Sequence, residues 1–286
     1  MNDFGEMLRC FRKTKNYSQF DLSSEVGVSA KHISFLETGR SKPSRQIVLS
    51  LSQVLGLNLR QQNLLLNSAG YAEGYTRNKI NDDKMGSISD TLRLMIDNHN
   101  PYPAIVIDWD WNIILSNSAY QNLIRLLTAM QPGFSTSTNI VELIFDPKGF
   151  KPVIKNWQQI SCLALLRLHH EQLENKGRHA ALLERLKASY EFPENWNNID
   201  YSEHPDPVIC IEIELNGYHL KLLTTLSSFG TPIDITVEEI MIEHYFPADE
   251  VTKTFFEYDI AELNANLSSA AQENRVPLKK QDQLRV

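Results

Sequence analysis

Apolar residues in the first seventy positions recur every three to four places. Phe4, Leu8 and Phe11 form one stripe. Phe20, Leu22 and Val26 form a second, and Ile33 and Leu36 a third. Ile47, Val48, Leu51 and Leu55 make a fourth, and Leu59 with Leu64 to Leu66 a fifth. That spacing follows the helical period and predicts five short helices. Ser18, Ser29 and Ser44 stand where helix N-caps are needed, and Gly27 and Gly39 where the chain must take positive φ to turn.

After about residue 88 the pattern alternates between periods. Ile88 to Asn98 reads as an amphipathic helix. Ala104 to Ile107 and Ile113 to Leu115 read as short strands around a turn at 108–112. Ala119 to Leu127, Pro152 to Leu173 and Arg178 to Tyr190 read as helices, with a shorter turn near Trp196. Strands then return at Val208 to Leu215 and Leu220 to Leu226. Asn216-Gly217 between them is a strong hairpin signal. Thr236 to Phe246 predicts a last strand, ended by Pro247. The fold expected is an all-α head followed by an α+β domain, with a five-stranded antiparallel sheet and a helical insert.

Domain boundaries follow from these changes. Residues 1–72 form the head, 73–87 are polar and aperiodic like a linker, 88–262 form the body, and 263–286 read as a polar tail. The chain has 286 residues with a net charge of -7, but the charge is unevenly placed. The head holds nine Lys/Arg against five Asp/Glu, whereas the remainder holds nineteen against thirty. A basic head on an acidic body points to an anionic partner for the head alone. The three cysteines, Cys10, Cys162 and Cys210, are too widely spaced for a CxxC motif or a disulfide framework. No apolar run approaches a membrane span and the first residues carry no secretory signal, so a cytoplasmic protein without membrane partners is expected.

The middle of the head predicts a helix-turn-helix. Ser23 is the small residue where the two helices touch, Gly27 makes the turn, and Leu22, Val26, Val28, Ile33 and Leu36 face the shared core. The run Ser18-Gln19-Phe20-Asp21-Leu22, with Val28-Ser29-Ala30-Lys31-His32-Ile33-Ser34-Phe35-Leu36-Glu37-Thr38-Gly39-Arg40, resembles the XRE family of phage repressor and Cro-like DNA-binding domains. The resemblance implies a five-helix, phage-repressor-like head that binds double-stranded DNA. It implies that Gln19 binds a phosphate, that Ala30, Lys31 and His32, with Ser34 and Phe35 a turn later, approach base edges, and that Ser29, the cap of that helix, also lies at the DNA. It also implies that Glu37 pairs with Arg12 to hold the helices. Lys31 suits guanine and Ala30 a thymine methyl. Arg40 and Lys42, with Ser44 as the next cap, form a loop suited to phosphates.

In the body, Pro103-Ala104-Ile105-Val106-Ile107, Asn117-Ser118-Ala119, Phe145-Asp146-Pro147, Gly230-Thr231-Pro232-Ile233-Asp234-Ile235-Thr236 and His244-Tyr245-Phe246-Pro247-Ala248-Asp249-Glu250 resemble the MmyB-like ligand-binding domain. The element order also looks like that of a PAS-like sensor. The resemblance implies a transcriptional regulator whose pocket accepts an apolar, fatty-acid-like molecule. Trp157, Ile160, Cys162, Leu163 and Leu166 on the helical insert, with Ile211, Leu222 and Ile242 on the sheet, are the expected pocket residues. A body that only dimerises or recruits a partner is the alternative, since core and pocket walls share one composition. No HExxH, GxSxG, P-loop or GxGxxG motif occurs, so neither an enzyme, a metal site nor a resident cofactor is expected. His169, His170 and His179 read as a solvated face, and a homodimer is expected because one recognition helix spans few bases.

Overall fold

Five helices occupy the first periodic stripes: α1 (Asp3–Thr14), α2 (Gln19–Val26), α3 (Ala30–Glu37), α4 (Arg45–Val54) and α5 (Leu59–Ser68). The computed structural model describes residues 3–174, 177–194, 196–197 and 207–273. Ser18 caps α2 in a capping box with Asp21, Ser29 caps α3, and Ser44 caps α4. Gly27 turns the chain between α2 and α3 with φ 75°. Phe4, Leu8, Leu22, Ile33, Leu36 and Leu51 meet in one buried core. Two expected core residues do not. Phe20 is 72% exposed and Leu64 is 49% exposed. Residues two apart on a helix point about 200° apart, so Phe20 cannot share the inner face with Leu22. Three consecutive leucines cannot all face inward either, and Leu65 and Leu66 take those places.

The second set of elements is α6 (Gly86–Asp97), β1 (Ala104–Ile107), β2 (Ile113–Ser116), α7 (Ser118–Met130), α8 (Ile140–Phe145), α9 (Trp157–Glu174), α10 (Ala180–Ser189), β3 (Ile211–Leu215), β4 (Tyr218–Ser227), α11 (Ile235–Glu239), β5 (Met241–Pro247), α12 (Glu250–Thr254) and α13 (Ile260–Glu273). The strands form one antiparallel sheet in the order β2-β1-β5-β4-β3, with α7 to α10 inserted between β2 and β3. This is the PAS-like arrangement. Asn216 and Gly217 both take positive φ in the two-residue β3–β4 turn. Short segments cover both sheet edges. Lys155 N donates to Glu212 O and Glu214 N to Val153 O on β3, while Ile113 N donates to Thr138 O on β2. These bonds satisfy some of the edge groups that would otherwise template pairing with another chain.

The chain divides into two compact units, Met1–Asp90 with Ser228–Ile240, and Thr91–Ser227 with Met241–Val286. The first unit is therefore larger than the head read from sequence. Residues 73–87, read as a linker, hold fixed contacts in it. Asn63 accepts from Gly74 N and Tyr75 N and donates to Tyr75 O, and Tyr75 Oη donates to Gln62.

Ser228–Ile240 joins the first unit in the same way. Arg60 grips Glu239 with two hydrogen bonds of 2.7 and 2.9 Å, and Leu59 N donates to Glu238. Thr76 and Asn78 donate to Asp234. The expected last strand Thr236 to Phe246 is thus two elements. Asp234 caps α11, and the strand proper starts only at Met241. The expected tail also differs: α13 continues to Glu273, with Asn264 buried against the Asn122 carbonyl, and residues 274–286 lie outside the described residues.

Candidate functional site

The outward face of α3 follows from its buried face. Ile33, Leu36 and Glu37 point inward, so Lys31, Ser34 and Phe35 lie on the opposite side. Lys31 Nζ sits 5.5 Å from the Phe35 ring centroid, and the Arg40 guanidinium 5.9 Å from it. One half-buried aromatic ring thus carries two cations, and Lys42 is exposed beyond them. Ala30 lies on the side of Ile33 and Glu37 and is half-buried. Ser29 Oγ accepts from His32 N at 3.1 Å, and Ser44 Oγ from Ile47 N at 3.3 Å. A capping hydroxyl accepts from the backbone and keeps its proton to donate, so both helix ends suit an anion.

Behind this face lies a polar hub. Glu37 accepts from Arg12 Nε at 2.6 Å, Arg12 Nη2 at 3.0 Å, Gln19 Nε2 at 2.8 Å and Arg9 Nε at 3.3 Å. Arg12 also donates to the Tyr17 carbonyl. Burial alone would raise the Glu37 carboxyl. The hydrogen bonds from Arg12, Gln19 and Arg9, with the Arg12 charge, outweigh that and hold it below the usual range. The pairing of Arg12 with Glu37 implied by resemblance is present. Gln19 is tied into the same hub through its amide nitrogen, which sequence alone gave no reason to expect.

In the second unit a cavity of about 80 Å³ lies between the sheet and the inserted helices. Trp111, Leu123, Ile140, Ile160, Ile213 and Leu222 are among its walls. Of the eight expected pocket residues, Ile160, Ile211 and Leu222 line it. Trp157 is buried behind the wall, its indole nitrogen donating to the Ile144 carbonyl. Cys162 is fully buried and Leu163 and Leu166 are half-buried, all without lining the cavity. Ile242 is the clearest miss. Strand residues alternate between faces, and on β5 it is Glu243 and Tyr245 that reach the cavity. A search for apolar residues alone selects the wrong face, because Ile242 is buried too.

Glu243 keeps some exposure because part of its surface faces the cavity. Its carboxyl is pushed up by burial, which outweighs the hydrogen bond from Tyr245 and the charge of Arg167. Tyr120 and Tyr245 are raised as well, by burial first and then by the nearness of Glu243. Tyr120 lines the cavity, and its enclosed hydroxyl has no hydrogen-bond partner among the described residues.

His179 is not on a solvated face. It is buried, with Nε2 2.8 Å from Glu171 Oε2. Glu171 also accepts from Trp111 Nε1 and Arg167 Nε and lies 3.3 Å from Arg178. Burial raises the Glu171 carboxyl, but the His179 hydrogen bond, the Arg178 charge and the other two donors bring it down to about 2. This cluster ties α9 to the β1–β2 turn and is structural. Among the described residues, no group of three or more His, Cys, Asp or Glu could hold a metal ion, and no helix is long and apolar enough to cross a membrane.

A capped helix with a cationic edge, and a PAS-like sheet bordering an apolar cavity, are the parts of a ligand-sensing helix-turn-helix transcription regulator. Two family models agree: residues 5–70 match a helix-turn-helix domain, and residues 88–257 match the MmyB-like transcription regulator ligand binding domain. The second match spans more than half of the chain, which therefore belongs to the MmyB-like transcription regulators, with an XRE-type head. No curated protein matches it. Among solved structures it is similar to the PAS domain of Bordetella pertussis BvgS, at 17% identity and a TM-score of 0.27, covering 65% of this chain and 98% of that one. It is also similar to an RsLOV d2 variant, at 12% identity and a TM-score of 0.27, covering 68% and 99%.

Proposed function

We propose that the protein is a cytoplasmic homodimer in which α3 of each copy reads a half-site, and that the cavity binds a small apolar ligand that tunes DNA affinity. The observation that carries the ligand reading is an apolar cavity between the sheet and the insert, in a chain whose other unit is a helix-turn-helix. At about 80 Å³ it is smaller than the roughly 150 Å³ apolar cavity that accepts benzene, so a chain longer than a few carbons requires its walls to part. A ligand acts on DNA binding only by favouring one arrangement of the protein over another, because equal affinity for both shifts nothing.

In this reading Lys31 touches bases, while Arg40, Lys42, Ser29 and Ser44 hold phosphates. Lys31→Ala should change the consensus selected from random duplexes, at about 1–3 kcal/mol for one base. Arg40→Ala should weaken all sequences alike and reduce the salt dependence by about one counterion. An unchanged consensus in Lys31→Ala removes it as a reader.

Organic extraction of protein purified from cells, followed by mass spectrometry, should release an apolar molecule, and adding it back should raise the melting temperature. Ala164 lines the cavity on α9, so Ala164→Leu should fill the space and abolish that rise with little loss of stability. Cys162→Phe, in the close-packed part of the same helix, should instead cost about 1–3 kcal/mol. If Ala164→Leu destabilises as much as Cys162→Phe and nothing is extracted, the body serves dimerisation or recruitment alone.

A further inference from the structure

The cavity wall has one polar end, where Tyr120 from α7 meets Glu243 and Tyr245 from β5. We propose that this end selects a ligand with a neutral hydrogen-bonding head, such as an alcohol, over a carboxylate on the same hydrocarbon chain. The inference rests on the ligand-binding reading above and sharpens it.

Three observations meet here. First, among the described residues no Lys, Arg or His lines the cavity. A buried carboxylate would have no counter-charge, and an unpaired ion in an apolar site is strongly disfavoured. Arg167 is near enough to act on Glu243 but is engaged elsewhere. It donates to Glu171 Oε1 at 3.2 Å and to Met241 Sδ at 3.1 Å, and stacks 4.4 Å from the Trp111 ring centroid. Second, Glu243 is hydrogen-bonded to Tyr245, and burial pushes its carboxyl up, which favours the form that can donate as well as accept. Third, Tyr120 borders the same space, and its enclosed hydroxyl has its hydrogen-bonding capacity unspent among the described residues, within reach of a head group that a small side-chain rotation admits.

A hydroxyl head can donate once and accept twice, which matches a phenol and a protonated acid. A carboxylate can only accept, and brings a charge into an apolar surround beside an acid that burial already holds towards its neutral form. An alkylammonium would need Glu243 to ionise in an apolar surround. The fatty acid expected from resemblance therefore ranks below its own alcohol at neutral pH.

The test titrates the full-length protein with n-butanol, n-hexanol and n-octanol, with the matching carboxylates and amines, and with the matching alkanes. Each alcohol should bind about tenfold or more tightly than its carboxylate or amine, the scale set by one unmet polar group. Tyr120→Phe should weaken the alcohols by about two- to tenfold, the range for one hydrogen bond, and leave the alkanes unchanged. Glu243→Gln keeps a neutral donor and acceptor and should preserve the preference. Carboxylates binding as well as alcohols, or amines binding best and losing that advantage in Glu243→Gln, would overturn the head-group assignment while leaving the cavity reading intact. Failure of all four series, alkanes included, would overturn the cavity reading instead.

Discussion

Glu37→Ala is expected to unfold the head rather than merely weaken its grip on DNA. The substitution leaves the buried Arg12 guanidinium facing Tyr17 alone and strips Arg9 and Gln19 of their shared acceptor. Breaking a buried pair from one side costs about 3–5 kcal/mol, much of the stability of a small domain. Chemical denaturation should show the loss directly, and DNA binding should fall with it. A variant that unfolds at the wild-type midpoint yet fails to bind would make Glu37 a DNA contact instead.

The same hub sets an acid limit. The Glu37 carboxyl lies lower in the folded protein than in the unfolded chain, so its contribution is complete above the unfolded value, about 4.3. That contribution is lost as pH falls through the lower folded value. Between those values wild-type stability should decline with acidification, and Glu37→Gln should flatten that part of the curve.

Asn117→Ala should be the most damaging single change in the body. Asn117 is buried, and its one side chain serves four backbone groups. Oδ1 accepts from Ala104 N and Tyr120 N, both at 3.0 Å, while Nδ2 donates to the carbonyls of Ile96 at 3.0 Å and Tyr102 at 2.8 Å. It thereby pins the end of α6, the start of β1 and the first turn of α7. Alanine leaves those groups without a partner, at about 1–3 kcal/mol for each that stays buried, and an expected total of about 3–4 kcal/mol once water reaches some of them. Asn117→Asp keeps the acceptor but points a carboxylate at two carbonyl oxygens, and should be no better at neutral pH. Because Tyr120 hangs from this cap, both variants should also lose ligand response. A body that melts normally without Asn117 would show that the four bonds contribute little.

The head was legible because its signals are local. Serine caps, the Gly27 turn and the inward stripe of Leu22, Ile33 and Leu36 each act within a few residues. The Asn216-Gly217 hairpin was legible for the same reason. What escaped depends on partners far along the chain. Asp234, Glu238 and Glu239 meet residues 59 to 78, and that pairing makes a capped helix of a stretch whose isoleucines and valine alternate like a strand. Glu243 escaped because the reading followed apolar residues, whereas the cavity uses a strand face on which an acid and a tyrosine stand. His179 escaped because its partner Glu171 lies across a turn and nothing in the spacing marks it as buried.

The docking of Ser228–Ile240 on the first unit also bears on how the protein is made. Chains emerge from the N-terminus at about 5–20 residues per second. Arg60, Thr76 and Asn78 are therefore synthesised roughly 10–30 s before Asp234 and Glu239, at that rate. Until then the first unit has its five helices but lacks the partners of three polar side chains. It is complete only when residue 240 has been made, by which time β1 to β4 and the whole helical insert already exist. A nascent head is thus an unfinished structure, and it reaches its final form only after most of the second unit has been synthesised.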